Sequence, residues 1–148
     1  MPLDTIVKLA TLASMAVAAS GLLIGVYVYR RQMNAELFLA YTKRYEGVME
    51  SFPGASRSHR LRLDGDPPPE SEELTAAVLR YLNLCSEESY LCKRGYLARD
   101  IWRIREEELR RTLRSPLLRR EWARVRREFG AYTEFARYVD DNQRTRAR

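Results

Sequence analysis

No residue between Leu9 and Tyr29 (LATLASMAVAASGLLIGVYVY) carries a charge. An uncharged apolar run of about 21 residues is the length an α-helix needs to cross a hydrocarbon core of roughly 30 Å. In lipid every backbone N–H and C=O must be satisfied inside the segment, which a helix achieves and an isolated strand does not. The run therefore predicts a transmembrane anchor occupying residues 1–31, with everything beyond it a domain hung from a membrane.

Two other readings of the run compete. A cleavable signal peptide would use the small-residue site Ala16-Val17-Ala18. Cutting there would leave GLLIGVYVY at the new N-terminus, still apolar, and an apolar core of only Leu9 to Met15. A buried core helix seldom runs this long without a polar face. Lys8, at the edge, can extend its ammonium to the headgroups. Arg30 and Arg31 follow the run at once, then Lys43 and Arg44, whereas Lys8 on the other flank is offset by Asp4. The excess of Lys and Arg belongs on the cytoplasmic side, which predicts a cytoplasmic domain and a short external N-terminus. Tyr27 and Tyr29 stand where an interfacial aromatic belt would place them. Gly21 and Gly25 form a small-xxx-small pair, a candidate face for helix association.

The 148-residue chain leaves enough sequence after the anchor for one domain of modest size. Its net charge of +6 is unevenly spread. Residues 1–31 carry +2, residues 32–92 carry −4, and residues 93–148 carry +8. A basic C-terminal half suggests attraction to anionic lipid, to nucleic acid, or to the acidic part of the same chain. Cys85 and Cys92, seven residues apart on one helix, would lie about 10 Å from each other, too far to bridge, and read as small core residues.

Past the anchor, Phe38, Tyr41, Tyr45, Val48 and Phe52 recur at intervals of 3 and 4, so one helix is expected from about residue 5 to 51, ended by Pro53-Gly54. Residues 53–70 read as a linker with a small basic cluster, Arg57, His59, Arg60 and Arg62. Ser71 is an N-cap for a broadly apolar, central helix ending at Lys93-Arg94-Gly95. A third helix spans about 99–114, with Glu106–Arg110 and Glu107–Arg111 as outer-face i,i+4 pairs. Ser115-Pro116 restarts the chain as N-cap and N1. Leu118, Trp122, Val125, Phe129 and Tyr132 form the inner stripe of the fourth helix, and Gly130 precedes a short segment burying Phe135. From Asp140 a polar, frayed tail (140–148) is expected. No strand pattern competes, so the fold class is all-α. The anchor helix runs on into a cytoplasmic antiparallel helical bundle at residues 32–139.

For chemistry the sequence offers little. His59 is the only histidine and has no acidic or cysteine partner at ligand spacing. Phosphate-binding glycine loops, paired metal ligands and nucleophile elbows are missing, so neither enzyme nor cofactor is expected. The suggestive feature is a basic face on the fourth helix, Arg119, Arg120, Arg124, Arg126 and Arg127. It reads as a solvated face, as a site for anionic lipid or an acidic partner, or as a nucleic-acid stripe. Glu121 and Glu128 interrupt the run and the aromatics lie on the opposite face, which argues against nucleic acid.

The layout of RRQMNAELFLAYTKRYEGVMESFP, LCKRGYLARDIW, SPLLRREW and EFARYV resembles a bacterial family of small single-pass membrane-anchored proteins with a helical cytoplasmic domain of unknown function. The resemblance covers most of residues 30–139. It implies an inner-membrane location and carries over no activity, cofactor or catalytic residue. The function expected is a membrane-anchored protein-interaction or accessory subunit, partnered by the bilayer and by another protein or a second copy. The alternative is peripheral binding of anionic lipid or nucleic acid through the arginine face.

Overall fold

The structure, a computed structural model, describes residues 3–144. It is all-α, with six helices and no strand among the described residues. The helices are α1 (Leu3–Glu50), α2 (Gly54–His59), α3 (Glu72–Lys93), α4 (Arg99–Leu113), α5 (Pro116–Val125) and α6 (Thr133–Arg144). Two compact units divide between Leu37 and Phe38.

In the first unit α1 is long and apolar enough to cross a membrane, and none of its most apolar window is buried. Leu12, Leu22, Leu23 and Ile24 are each at least 62% exposed. Its non-aromatic polar side chains between Leu9 and Tyr29 are satisfied within the helix. Thr11, Ser14 and Ser20 donate to the carbonyls of Val7, Ala10 and Ala16 at 2.8–2.9 Å. A hydroxyl bonded to the carbonyl four residues back asks nothing of an apolar solvent.

The second unit is a helical bundle built around α3. Ser71 caps it, its side chain accepting from the Leu74 amide at 3.1 Å, with Glu72 and Glu73 in the first turn. Gly95 ends the reversal that follows with φ +75°, a conformation that only glycine adopts without strain. Between them Leu74, Ala77, Val78, Tyr81, Leu82, Leu84 and Cys85 are buried, a face too broad for one neighbour. Both α4 and α5 pack on it. Residues 38–50 of α1 and the residues after them contribute Tyr41 and Phe52 to the buried set, so the stripe read from the sequence is the face that packs. Cys85 is buried and Cys92 half-buried, both as free thiols.

Three expectations change. The 53–70 linker is not all loop: α2 lies within it, and Phe52, Ser56, Arg60 and Pro68 are buried in or beside it. Helix α5 stops at Val125 and tightens into a 3-10 turn, Arg126–Phe129. At three residues per turn the stripe loses its phase, so Phe129 stays buried but Tyr132 is 46% exposed. The tail expected to fray from Asp140 is helical to Arg144, while residues 145–148 lie outside the described residues. The reason is Asp140 itself, which accepts from Trp122 Nε1 at 2.8 Å and from Arg126 Nη2 at 2.8 Å. Val139 beside it is fully buried.

Candidate functional site

Helices α1, α3 and α4 and the residue after α2 converge on one partly buried polar cluster. The 3–4 spacing that turns Tyr41 and Tyr45 inward from α1 places the Tyr45 ring 6.5 Å from that of Tyr81 on α3. The Tyr45 hydroxyl donates to the Glu108 carboxylate of α4 and accepts from Arg60 Nη2 at 2.8 Å. Arg60 Nη1 also reaches Glu108, at 3.1 Å. Above the Tyr45 ring lies the Arg105 guanidinium, 4.4 Å from its centroid, within cation–π range. Arg105 in turn approaches Glu88 of α3 at 3.6 Å and Glu108 at 3.7 Å.

Burial dominates the electrostatics. It pushes the Tyr45 phenol up to about 12, reinforced by the bond to Glu108. Burial also lifts the Glu88 carboxyl to about 7, against the pull of Arg105. The Cys85 thiol rises too, mainly by burial, which removes it as a nucleophile. Each polar member of the cluster is engaged by another member, so the arrangement ties three helices together. Among the described residues no group of three or more His, Cys, Asp or Glu could hold a metal.

Four of the five arginines read from the sequence on α5 and the 3-10 turn after it have intramolecular partners. Arg120 pairs with Glu121 at 2.8 Å and donates to the Pro68 carbonyl at 2.7 Å. Glu121 is fully buried and accepts a second bond from Thr75 at 2.7 Å. The sequence had suggested an interruption of a surface run; the structure makes Glu121 the inner anchor of that run. Arg124 pairs with Glu70 at 2.6 Å, Arg126 with Asp140 at 2.8 Å, and Arg119 donates to the Gln143 carbonyl at 3.0 Å. Of the five, Arg127 alone makes no side-chain hydrogen bond or ion pair among the described residues. The face is thus laced to the chain's own acids, a use that helical periodicity cannot reveal because Glu70 and Asp140 are remote in sequence.

Gly21 and Gly25 lie in open space, with no heavy atom within 4 Å of a Cβ built on either. An open groove of about 650 Å³ lies between the end of α3 and the start of α6, lined by Tyr90, Lys93, Arg94, Tyr132, Glu134 and Phe135. Lys93 and Glu134 pair across it at 2.6 Å, and Arg94 covers the Tyr90 ring at 5.3 Å. Sequence reasoning missed this groove, whose only signal was a density of tyrosines near Gly95 and Gly130. No family model, curated protein or solved structure matches the chain.

Proposed function

We propose that this chain is a single-pass membrane protein whose helical bundle serves as an interaction or accessory subunit. The observation that carries the reading is the Leu9–Tyr29 part of α1. It is apolar on every side and exposed on every side, and its serine and threonine hydroxyls bond back into the helix. Water is a poor solvent for such a surface, at about 25 cal/mol per Å² of apolar area, and lipid is a good one. Arg30 and Arg31 favour a cytoplasmic bundle and an external N-terminus. The resemblance to bacterial membrane-anchored proteins belongs to the same proposal, with an inner membrane as the location it implies.

The bundle supports a binding role over catalysis, because its partly buried ionisable cluster is spent on joining helices. Tyr90, Tyr96 and Tyr132 are 46–58% exposed. Aromatic side chains of this kind are enriched at protein interfaces, where a rigid ring buries much area at little entropic cost. A partner protein, or a second copy meeting through Gly21 and Gly25, is the occupant this reading expects.

The test is to isolate membranes, wash them in alkaline carbonate, and recover the tagged full chain in mild detergent at low and high salt. Retention through the wash with a discrete protein surviving high salt is expected. Release of the chain by carbonate overturns the anchor. Recovery of the chain alone at both salts, without self-association, overturns the interaction role.

A further inference from the structure

We propose that the outer face of α4, together with the Leu61–Leu63 edge, docks onto an anionic lipid headgroup layer. This rests on the reading that Leu9–Tyr29 spans a bilayer, since the tether then holds the bundle at high effective concentration near a leaflet. Arg110 and Arg111 of α4 and its C-cap Arg114 follow Arg103 by 7, 8 and 11 residues, which puts all four on one side of the helix. Beside them stands Ile104, 69% exposed and, among the described residues, the most exposed large apolar side chain of the second unit. One open groove of about 610 Å³ is lined by Leu61, Leu63 and Ile104 and by Arg110, Arg111 and Arg114 against two carboxylates, Glu107 and Glu108, of which Glu108 is bound to Tyr45 and Arg60.

Charge distinguishes this face from α5. There the guanidiniums are bound to Glu70, Glu121 and Asp140; here Arg103, Arg111 and Arg114 have no ion pair among the described residues. Arg110 is the exception, paired with Glu106 at 2.8 Å. The Glu107–Arg111 pair expected from i,i+4 spacing is not formed, which leaves Arg111 exposed in the groove. Part of the uncompensated positive charge of the C-terminal half is therefore displayed on this face.

Guanidiniums bind phosphate oxygens in a two-pronged manner. An apolar side chain set among them suits the headgroup–acyl boundary, the environment of an interfacial amphipathic helix. Nucleic acid would use the cations but gain little from Ile104, and the groove offers no aromatic side chain for stacking bases.

The experiment places the full chain, carrying Cys92→Ser and Ile104→Cys, in nanodiscs of phosphatidylcholine alone or with phosphatidylglycerol. The readout is the rate at which an uncharged maleimide modifies position 104; the same chain with Ile104 retained reports any background from buried Cys85. Phosphatidylglycerol should slow modification about tenfold, and high salt should restore the rate. Arg103, Arg111 and Arg114 all changed to Gln should abolish the lipid effect, while an unchanged tryptophan spectrum confirms that the bundle is folded. Equal rates in both lipids overturn the proposal. So does slow modification in both that ignores salt, which would identify a protein covering the face, or protection conferred by added nucleic acid and not by lipid. Loss of the chain from the discs at alkaline pH would instead remove the anchor reading, so the two failures are distinguishable.

Discussion

Replacing Glu88 with glutamine is expected to stabilise the bundle at pH 8 and to leave it nearly unchanged at pH 5. Glu88 is 4% exposed, and burial lifts its carboxyl from 4.5 to about 7. The groups facing it are Arg105 and Glu108 on α4, Arg44 on α1 and Glu87 on α3. The folded state thus holds the Glu88 proton more tightly than the unfolded chain does. Its contribution to stability is complete below 4.5 and is lost as the pH rises through about 7. At about 1.4 kcal/mol per pKa unit, the loss is on the order of 3 kcal/mol. Glutamine keeps the shape and cannot ionise, and Arg105 retains Glu108 at 3.7 Å and the Tyr45 ring at 4.4 Å. Both tryptophans, Trp102 and Trp122, belong to the bundle, so their fluorescence follows its thermal unfolding in neutral detergent without interference from the apolar helix. The wild-type midpoint should fall between pH 5 and pH 8 by roughly 10 °C, and the variant should lose most of that slope. A variant less stable than wild type at pH 8 would refute the reasoning, for then the attraction of Arg105 outweighs the cost of burying the charge. Parallel pH profiles would refute it equally.

Asp140→Ala removes the acceptor of both Trp122 and Arg126, and should cost about 1–3 kcal/mol and fray α6, read as faster amide exchange over residues 133–144. Arg126 holds the Asp140 carboxyl below its ordinary 3.8, so this contribution is present at neutral pH and is lost only as the pH falls beneath that value. Leu118→Ala opens a cavity at a fully buried position and should cost about 2–5 kcal/mol in urea unfolding with little change in slope. Ser115→Ala deletes the cap on the Leu118 amide and should cost about 1 kcal/mol by the same measurement. Gly21→Ile with Gly25→Ile should abolish chemical cross-linking between copies in membranes, and unchanged cross-linking removes that face from the interaction reading.

Local signals were legible and remote pairings were not. Ser71, Gly95 and Ser115-Pro116 declare their structure within three or four residues, because caps and positive-φ turns are local chemistry. The apolar stripes of α3 and α5 named most of the core for the same reason. The cluster escaped notice because Tyr45, Arg60, Glu88 and the Arg105–Glu108 pair stand on different elements; only the packing of α1, α3 and α4 collects them. The α5 arginines misled in the opposite way, since a helical projection shows which charges share a face and cannot show that Glu70, 54 residues from Arg124, comes to meet them.

The bond between Tyr45 and Glu108 joins residues 63 apart in the chain, and this sets a schedule for synthesis. The apolar segment and the stripe after it are made first, yet Tyr45 meets its acceptor only when α4 has emerged. At 5–20 residues per second that is a wait of roughly 3–13 s, during which the inward face of residues 38–52 has at most α3 for cover. A nascent chain in that interval presents an amphipathic helix next to its own hydrophobic segment, the form in which a chaperone or an early-arriving partner would find it.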